Sequence, residues 1–287
     1  MHTPKPTFLI IGAQKCGTTW LHQHLRKHPD IFMPAEKELE FFSYQDQLAN
    51  PGFTGYLEHF SEAGESRAIG EATASYFWTS TNSRWSVLPD GFQTNIPKTV
   101  HQHLGDELKL LVALRNPVKR VVSAYLHYLT MDEITADTDF VQAMTYGGIV
   151  DMGFYARHLR NWLEYYPLDQ IKVLILESDI QEKPAVTLAA VCRFLAVGEH
   201  DFTAEPVLKP VFAGTQRVLN EDGVFIAGDN PGTNRGEVWH QDDRGQYWRQ
   251  IISADRLQQL NELFLAEVGN LDTMLGTDLV QCWGMAA

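Results

Sequence analysis

Gly12-Ala13-Gln14-Lys15-Cys16-Gly17-Thr18-Thr19-Trp20-Leu21-His22 follows directly on the apolar run Phe8-Leu9-Ile10-Ile11. The run reads as a buried strand and the residues after Gly17 carry helical spacing, so strand, glycine turn and helix meet at one point. Such a junction holds anions. Unpaired N–H groups of the first helical turn point outward with the positive end of the helix dipole, and two glycines let a phosphate approach the backbone. Lys15 adds a full charge, and Thr18 and Thr19 add hydroxyl donors.

In the phosphate loop Gly-x-x-x-x-Gly-Lys-Ser/Thr the lysine follows the second glycine. Here Gly12 and Gly17 keep that separation, Thr18 takes the lysine position, and the lysine stands inside the loop as Lys15. A second junction has the same build. Leu108 to Leu114 reads as a buried strand, and Arg115-Asn116-Pro117-Val118-Lys119-Arg120-Val121-Val122-Ser123-Ala124-Tyr125 follows it. Pro117 suits a first helical turn, and Val118, Val121, Val122, Tyr125, Leu126 and Leu129 recur at helical spacing. Arg115 at the strand end and Ser123 two turns into the helix offer a planar fork and a hydroxyl to a second phosphate.

Together the two segments resemble the sulfotransferase family that uses 3′-phosphoadenosine 5′-phosphosulfate. The first is similar to that family's 5′-phosphosulfate loop, with Lys15, Thr18 and Thr19 at its lysine and hydroxyl positions. The second is similar to its 3′-phosphate motif, with Arg115 and Ser123 at the matching places. Pro34-Ala35-Glu36-Lys37-Glu38-Leu39-Glu40-Phe41-Phe42 resembles the acidic segment of the heparan-type and bacterial branches, in which the glutamate matching Glu38 is the catalytic base. Glu71-Ala72-Thr73-Ala74-Ser75-Tyr76-Phe77 resembles the block that lines the acceptor cleft, and the likeness runs from about residue 7 to Trp283, weakest at about 203–250. It implies that Gln14, Lys15, Cys16, Gly17, Thr18, Thr19, Trp20, Arg115, Ser123 and Tyr155 bind the donor and its product adenosine 3′,5′-bisphosphate. Glu71, Phe42 and Tyr76 are implied at the acceptor. A basic glycine-containing stretch usually closes over the nucleotide in this family; Asn234-Arg235-Gly236 is its match, with Arg217 as rival.

Two departures bear on the acceptor. Heparan-modifying enzymes carry a lysine where this chain has Ala72, and Glu40 stands where a histidine is common in bacterial relatives. Both make the acceptor region less positive. With a formal net charge of −13, a polyanionic glycan is a poor expectation, and a small molecule or carbohydrate is the acceptor class expected. A donor with roughly four negative charges needs local positive groups, which Lys15, Arg115, Lys119 and Arg120 supply. No long basic stripe is left for nucleic acid.

The 287 residues are 44% hydrophobic and 21% charged, enough for one domain over 1–287 with a core at about 7–283. No apolar run spans a membrane and the start lacks a secretory apolar region, so the cytoplasm is the expected compartment and no membrane partner is expected. Three cysteines, Cys16, Cys192 and Cys282, give neither a disulfide framework nor a zinc spacing. Cys16, beside a helix N-terminus, is placed where a thiolate is favoured and where oxidation would block the loop. His22/His24 and His101/His103 lack a third ligand, and no metal is expected. Oligomeric state is not legible.

The periodicity predicts strands at 7–11, near 68–71, 108–114 and 171–176, and helices at 17–27, 117–129, 153–165 and 183–195. This alternation implies an α/β fold, a central parallel sheet flanked by helices with ligands at the carboxyl ends of the strands, as in the phosphate-loop-like sulfotransferase fold. A last amphipathic helix is predicted between Ser253 as N-cap and Gly276 as stop. Segments 79–103 and 214–250 read as irregular acceptor and closure loops.

The chemistry expected is in-line sulfuryl transfer to a hydroxyl or amine. Glu38 removes the acceptor proton, partial desolvation raising its pKa, and Lys15 stabilises the leaving 5′-phosphate. A mixed anhydride gives up its sulfuryl group readily, so no metal is required. Glu71 is a second candidate acid or base, and His101 or His103 a rival base, since other branches use histidine. A phosphoryl transferase is the alternative enzyme, disfavoured by Thr18 at the lysine position and by Arg115-Asn116 where an aspartate would hold magnesium. A nucleotide-binding module without catalysis would keep Lys15, Arg115 and Ser123 but have no use for Glu38.

Overall fold

The structure is a computed structural model and describes residues 4–80, 83–135, 138, 140–202, 217–220, 222–228 and 239–285. Strand β1 (Phe8–Gly12) leads through the glycine loop to α1 (Thr18–Leu25), followed by β2 (Ile31–Phe32), α2 (Gln45–Ala49), α3 (Gly52–Glu58) and β3 (Ala68–Ala72). A tight turn at Ala74–Phe77 precedes α4 (Ile96–Leu104), β4 (Lys109–Leu114) and α5 (Pro117–Thr130). Next come α6 (Phe140–Thr145), α7 (Tyr155–Leu163), β5 (Ile171–Ile175) and α8 (Pro184–Leu195). Strands β6 (Arg217–Asn220), β7 (Gly223–Gly228), β8 (Trp239–Gln241) and β9 (Tyr247–Ser253) follow, and α9 (Ala254–Leu275) and α10 (Leu279–Cys282) end the described chain.

The main sheet has the order β2-β3-β1-β4-β5 with every pair parallel. All of Phe8–Gly12 is buried, as a central strand covered on both faces requires, which is why its residues are apolar without alternation. β1 pairs Leu9 with Glu71 of β3 on one side and Leu9 with Leu110 of β4 on the other. The chain therefore leaves β1 towards one edge and returns on its other side. The carboxyl end of β1 is the switch point at which such sheets open a crevice. Both anion motifs start there.

Helix α1 packs on β1 and β3, and α8 on β5. α9 packs on α5 and α7 and also on β7 and β9, joining the main sheet to a second, four-stranded antiparallel sheet of order β6-β7-β9-β8. Phe264 anchors α9 through full burial against Phe154, ring centroids 5.2 Å apart. The predicted caps hold: the Ser253 side chain accepts from Arg256 N–H, and Gly276 takes φ 66°.

The second sheet corrects the reading of 214–250 as irregular, and α4 corrects that of 79–103. Val224-Phe225-Ile226 and Tyr247-Trp248 are strand formers in runs too short for periodicity to stand out, and their pairing is non-local.

Candidate functional site

Gly12 and Gly17 are glycines for steric reasons. Gly12 has φ 150°, and a Cβ there would lie 2.6 Å from Phe77 Cβ and 2.8 Å from the Ala74 carbonyl oxygen. Gly17 has φ 101°, with Leu176 Cδ1 3.0 Å from where a Cβ would sit. Gly17 is the N-cap of α1 and carries no side chain to cap it. Lys15 between them has φ 67°, an uncommon conformation for a side-chain-bearing residue. Thr18 is buried, while Thr19, Gln14 and Trp20 are half-buried; Trp20 lies against His24 with ring centroids 4.4 Å apart.

The second motif lies against the first. Arg115 Nη1 donates to the Lys15 carbonyl oxygen at 3.5 Å, and Tyr155 joins the pair by donating to the Arg115 carbonyl oxygen at 2.8 Å and by lying 3.7 Å from Cys16 Sγ. Tyr155 is fully buried, so it braces the motifs from beneath. Pro117 opens α5 with Asn116 as N-cap, its Oδ1 accepting from Lys119 N–H at 3.1 Å. Asn116, Lys119 and Ser123 share one helix face by their spacing, and Ser123 is half-buried.

Arg120 is fully buried one turn into α5. Nη2 donates to the carbonyl oxygens of Gly148 and Ile149, while Nε and Nη1 have no hydrogen-bond partner among the described residues. Its charge is felt at Cys16, Tyr128 and Tyr155, so it adds to the positive field from beneath the loop. Cys16 itself overturns the expectation of a thiolate. Burial pushes its thiol up to about 11 despite Arg120 and Arg115, so it is a protonated packing residue.

Glu38 reaches the same crevice from the other side. Its N–H donates to the carbonyl oxygen of Ala72 at the end of β3, and its Oε2 accepts from Ala74 N–H at 2.7 Å. Glu38 and Glu40 have φ of 62° and 57°, and backbones held in this region cluster at functional sites. The Glu38 side chain stays 39% exposed and pairs with the Lys37 ammonium, so the desolvated carboxylate of the cleft is Glu71. Glu71 is fully buried on β3, accepts from Thr73 Oγ1 at 2.8 Å and Tyr56 OH at 3.4 Å, and is raised to about 7, chiefly by desolvation.

Phe42 and Tyr76 are also fully buried, ring centroids 5.5 Å apart, with Tyr76 OH accepting from Phe42 N–H. Like Glu71, both are closely packed at the positions read as acceptor contacts. His103 packs among Phe41, Phe42 and Phe53, and Lys5, ahead of β1, donates to its carbonyl oxygen. His101 lies beside Tyr166, whose hydroxyl reaches Gly105 ahead of β4. α4 runs back against the strands, so its last turn faces the end opposite the anion loop. Arg235 lies outside the described residues, as does the Arg217 side chain. Among the described residues no three His, Cys, Asp or Glu side chains form a metal-binding group, and no helix is long and apolar enough to cross a membrane.

Residues 5–211 match the family model for the sulfotransferase domain. The chain belongs to that family. It is 27% identical over 249 residues to rat carbohydrate sulfotransferase 15, covering 67% of this chain and 44% of that protein. It is 30% identical over 202 residues to mouse heparan sulfate glucosamine 3-O-sulfotransferase 6, covering 67% and 52%. The chain thus spans about half the length of these curated relatives. Its fold matches a solved sulfotransferase from Alicyclobacillus acidocaldarius with a TM-score of 0.63 at 22% identity, over 96% of this chain and 97% of the other.

Within this sulfotransferase domain, the sequence reading passed over Lys37 and Glu177, which lie beside Glu38 and Arg115. Lys37 is half-buried, and burial lowers its pKa to about 8 against the pull of Glu71 and Glu40. Its signal was only adjacency to Glu38. Glu177 follows β5, whose Ile175 pairs with Leu114 just before Arg115, a neighbourhood that only the strand order creates.

Proposed function

We propose that this chain transfers the sulfuryl group of 3′-phosphoadenosine 5′-phosphosulfate to a hydroxyl or amine of a small-molecule or carbohydrate acceptor. The observation that carries the reading is the contact of Arg115 with the Lys15 carbonyl oxygen, which makes the two anion motifs neighbours at the switch point of the sheet. The residues fit such a donor. The glycine turn takes positive φ at Gly12 and Gly17, the α1 N-terminus has no side-chain cap, and Arg115 offers its fork with a side chain 20% exposed.

Glu38 takes the proton from the acceptor as the acceptor oxygen or nitrogen bonds to sulfur. The bond between sulfur and the bridging phosphate oxygen breaks in the same step, leaving adenosine 3′,5′-bisphosphate. Lys15 and the N–H groups at the start of α1 stabilise the charge gathering on that oxygen. Arg115 and Ser123 hold the 3′-phosphate. The relatives' names are those of carbohydrate-modifying enzymes, which supports a sugar acceptor. Glu36, Glu38 and Glu40 beside the single ammonium of Lys37 favour a neutral sugar over a polyanionic one.

The test is transfer of labelled sulfate from the donor to a panel of neutral sugars, uronate-containing glycans, phenols, alcohols and amines. Product with a neutral sugar is expected. Folded protein that binds the donor yet sulfates nothing in the panel would count against catalysis, and preference for the uronate glycans would overturn the charge argument.

A further inference from the structure

The connection that carries Arg115 is two residues long, between the end of β4 at Leu114 and the start of α5 at Pro117. Nearly every polar group of that connection is tied down. Tyr155 OH donates to the Arg115 carbonyl oxygen at 2.8 Å, Asn116 N–H donates to Glu177 Oε1 at 3.3 Å, and Asn116 Oδ1 caps α5. Glu177 Oε1 also lies 4.0 Å from Arg115 Nε, on the side away from the fork.

The remaining ties come from the far end of the chain. Trp283, 167 residues from Asn116, accepts from Asn116 Nδ2 on its carbonyl oxygen at 3.2 Å. Its indole Nε1 donates to Glu177 Oε2 at 3.3 Å. Asn116, Glu177 and Trp283 therefore close a ring of three hydrogen bonds around the connection. The turn carrying Trp283 is itself fixed: the Asp272 carboxylate of α9 accepts from Leu279 N–H at 2.6 Å and Val280 N–H at 3.0 Å at the start of α10.

We infer that Glu177 and Trp283 are positioning residues for Arg115, so that recognition of a nucleotide 3′-phosphate depends on a clamp whose second member, Trp283, lies beyond the matched family segment. An arginine side chain has much rotamer freedom to lose on binding, and a fork oriented in advance loses less of it. The clamp sets the backbone from which the fork projects and places a carboxylate behind Nε. Its hydrogen bonds tie the Arg115 connection, while in the loop at Gly12–Gly17 the Glu177 charge reaches Cys16, so its main effect falls on the 3′ end of the ligand. This rests on the proposed donor.

Calorimetry with adenosine 3′,5′-bisphosphate and adenosine 5′-phosphate on wild type, Trp283→Phe and Glu177→Gln tests it. Trp283→Phe keeps the ring and removes one donor; Glu177→Gln keeps the shape and removes the charge. The two give independent readings should one fail to fold. Each is expected to weaken the bisphosphate about tenfold and the monophosphate less than twofold. Removing the Glu177 charge would by itself tighten an anion, so a loss in Glu177→Gln isolates orientation. Parallel losses for both nucleotides, an unchanged ratio, or tighter bisphosphate binding would overturn the clamp. A wild type that does not prefer the bisphosphate would instead refute the donor assignment, and the inference with it.

Discussion

Replacing Glu71 by glutamine should change how stability varies with pH. Glu71 is fully buried, and desolvation outweighs the hydrogen bonds from Thr73, Tyr76 and Tyr56, raising its pKa from the ordinary 4.5 to about 7. With the folded pKa above the unfolded one, the group's contribution is fully present below pH 4.5 and is lost as pH rises through about 7. At about 1.4 kcal/mol per pH unit, the loss across that window is on the order of 3 kcal/mol. Glutamine does not titrate and keeps an oxygen for Thr73. Urea unfolding of both proteins at a series of pH values gives the stability difference, in which titration of other groups cancels. His22 is one such group; burial lowers it from 6.5 to about 4, so it acts with the opposite sign in an overlapping window. Wild type should lose stability relative to Glu71→Gln between pH 4.5 and about 7. Parallel stability curves would refute the account of Glu71 as the desolvated acid of the cleft.

Lys15→Ala should lower kcat by orders of magnitude with a smaller effect on affinity for adenosine 3′,5′-bisphosphate, because its charge acts most strongly on the departing oxygen; an unchanged kcat removes that role. Glu38→Gln should lower kcat about 10²- to 10⁴-fold while bisphosphate affinity is retained, and near wild-type turnover in folded protein would exclude it as the base. Gly17→Ala should cost about 1–3 kcal/mol in thermal unfolding and weaken nucleotide binding, since φ 101° disfavours a side chain and Leu176 Cδ1 leaves only 3.0 Å for a Cβ; an unchanged melting temperature would contradict the steric reading.

The two central strands β1 and β4 were legible because they are apolar runs, each next to a helical stripe, whereas the two-residue β2 was not read. Phe8–Ile11 and Leu110–Leu114 need only their own residues to be recognised as buried strands. The caps at Ser253 and Gly276 are local in the same sense: each depends on neighbours within a turn. The second sheet depends on pairing between segments such as Val224 and Ile252, which no local pattern reveals. At the site, backbone-defined features such as the glycine turn could be read, whereas burial could not. Cys16 and Glu71 sit in segments that look suited to ligand contact. Their chemistry is decided by what packs over them, and Glu177 and Trp283 enter through the order of strands and the return of the chain end.

The central claim is that one nucleotide lies across both motifs at the carboxyl end of β1. A crystal structure of the protein with adenosine 3′,5′-bisphosphate tests it most directly. The account predicts the 5′-phosphate at the amino end of α1 against the loop holding Lys15, and the 3′-phosphate on Arg115 with Ser123 beside it. A nucleotide bound away from this crevice, or one whose 3′-phosphate points to solvent with Arg115 uninvolved, would contradict it.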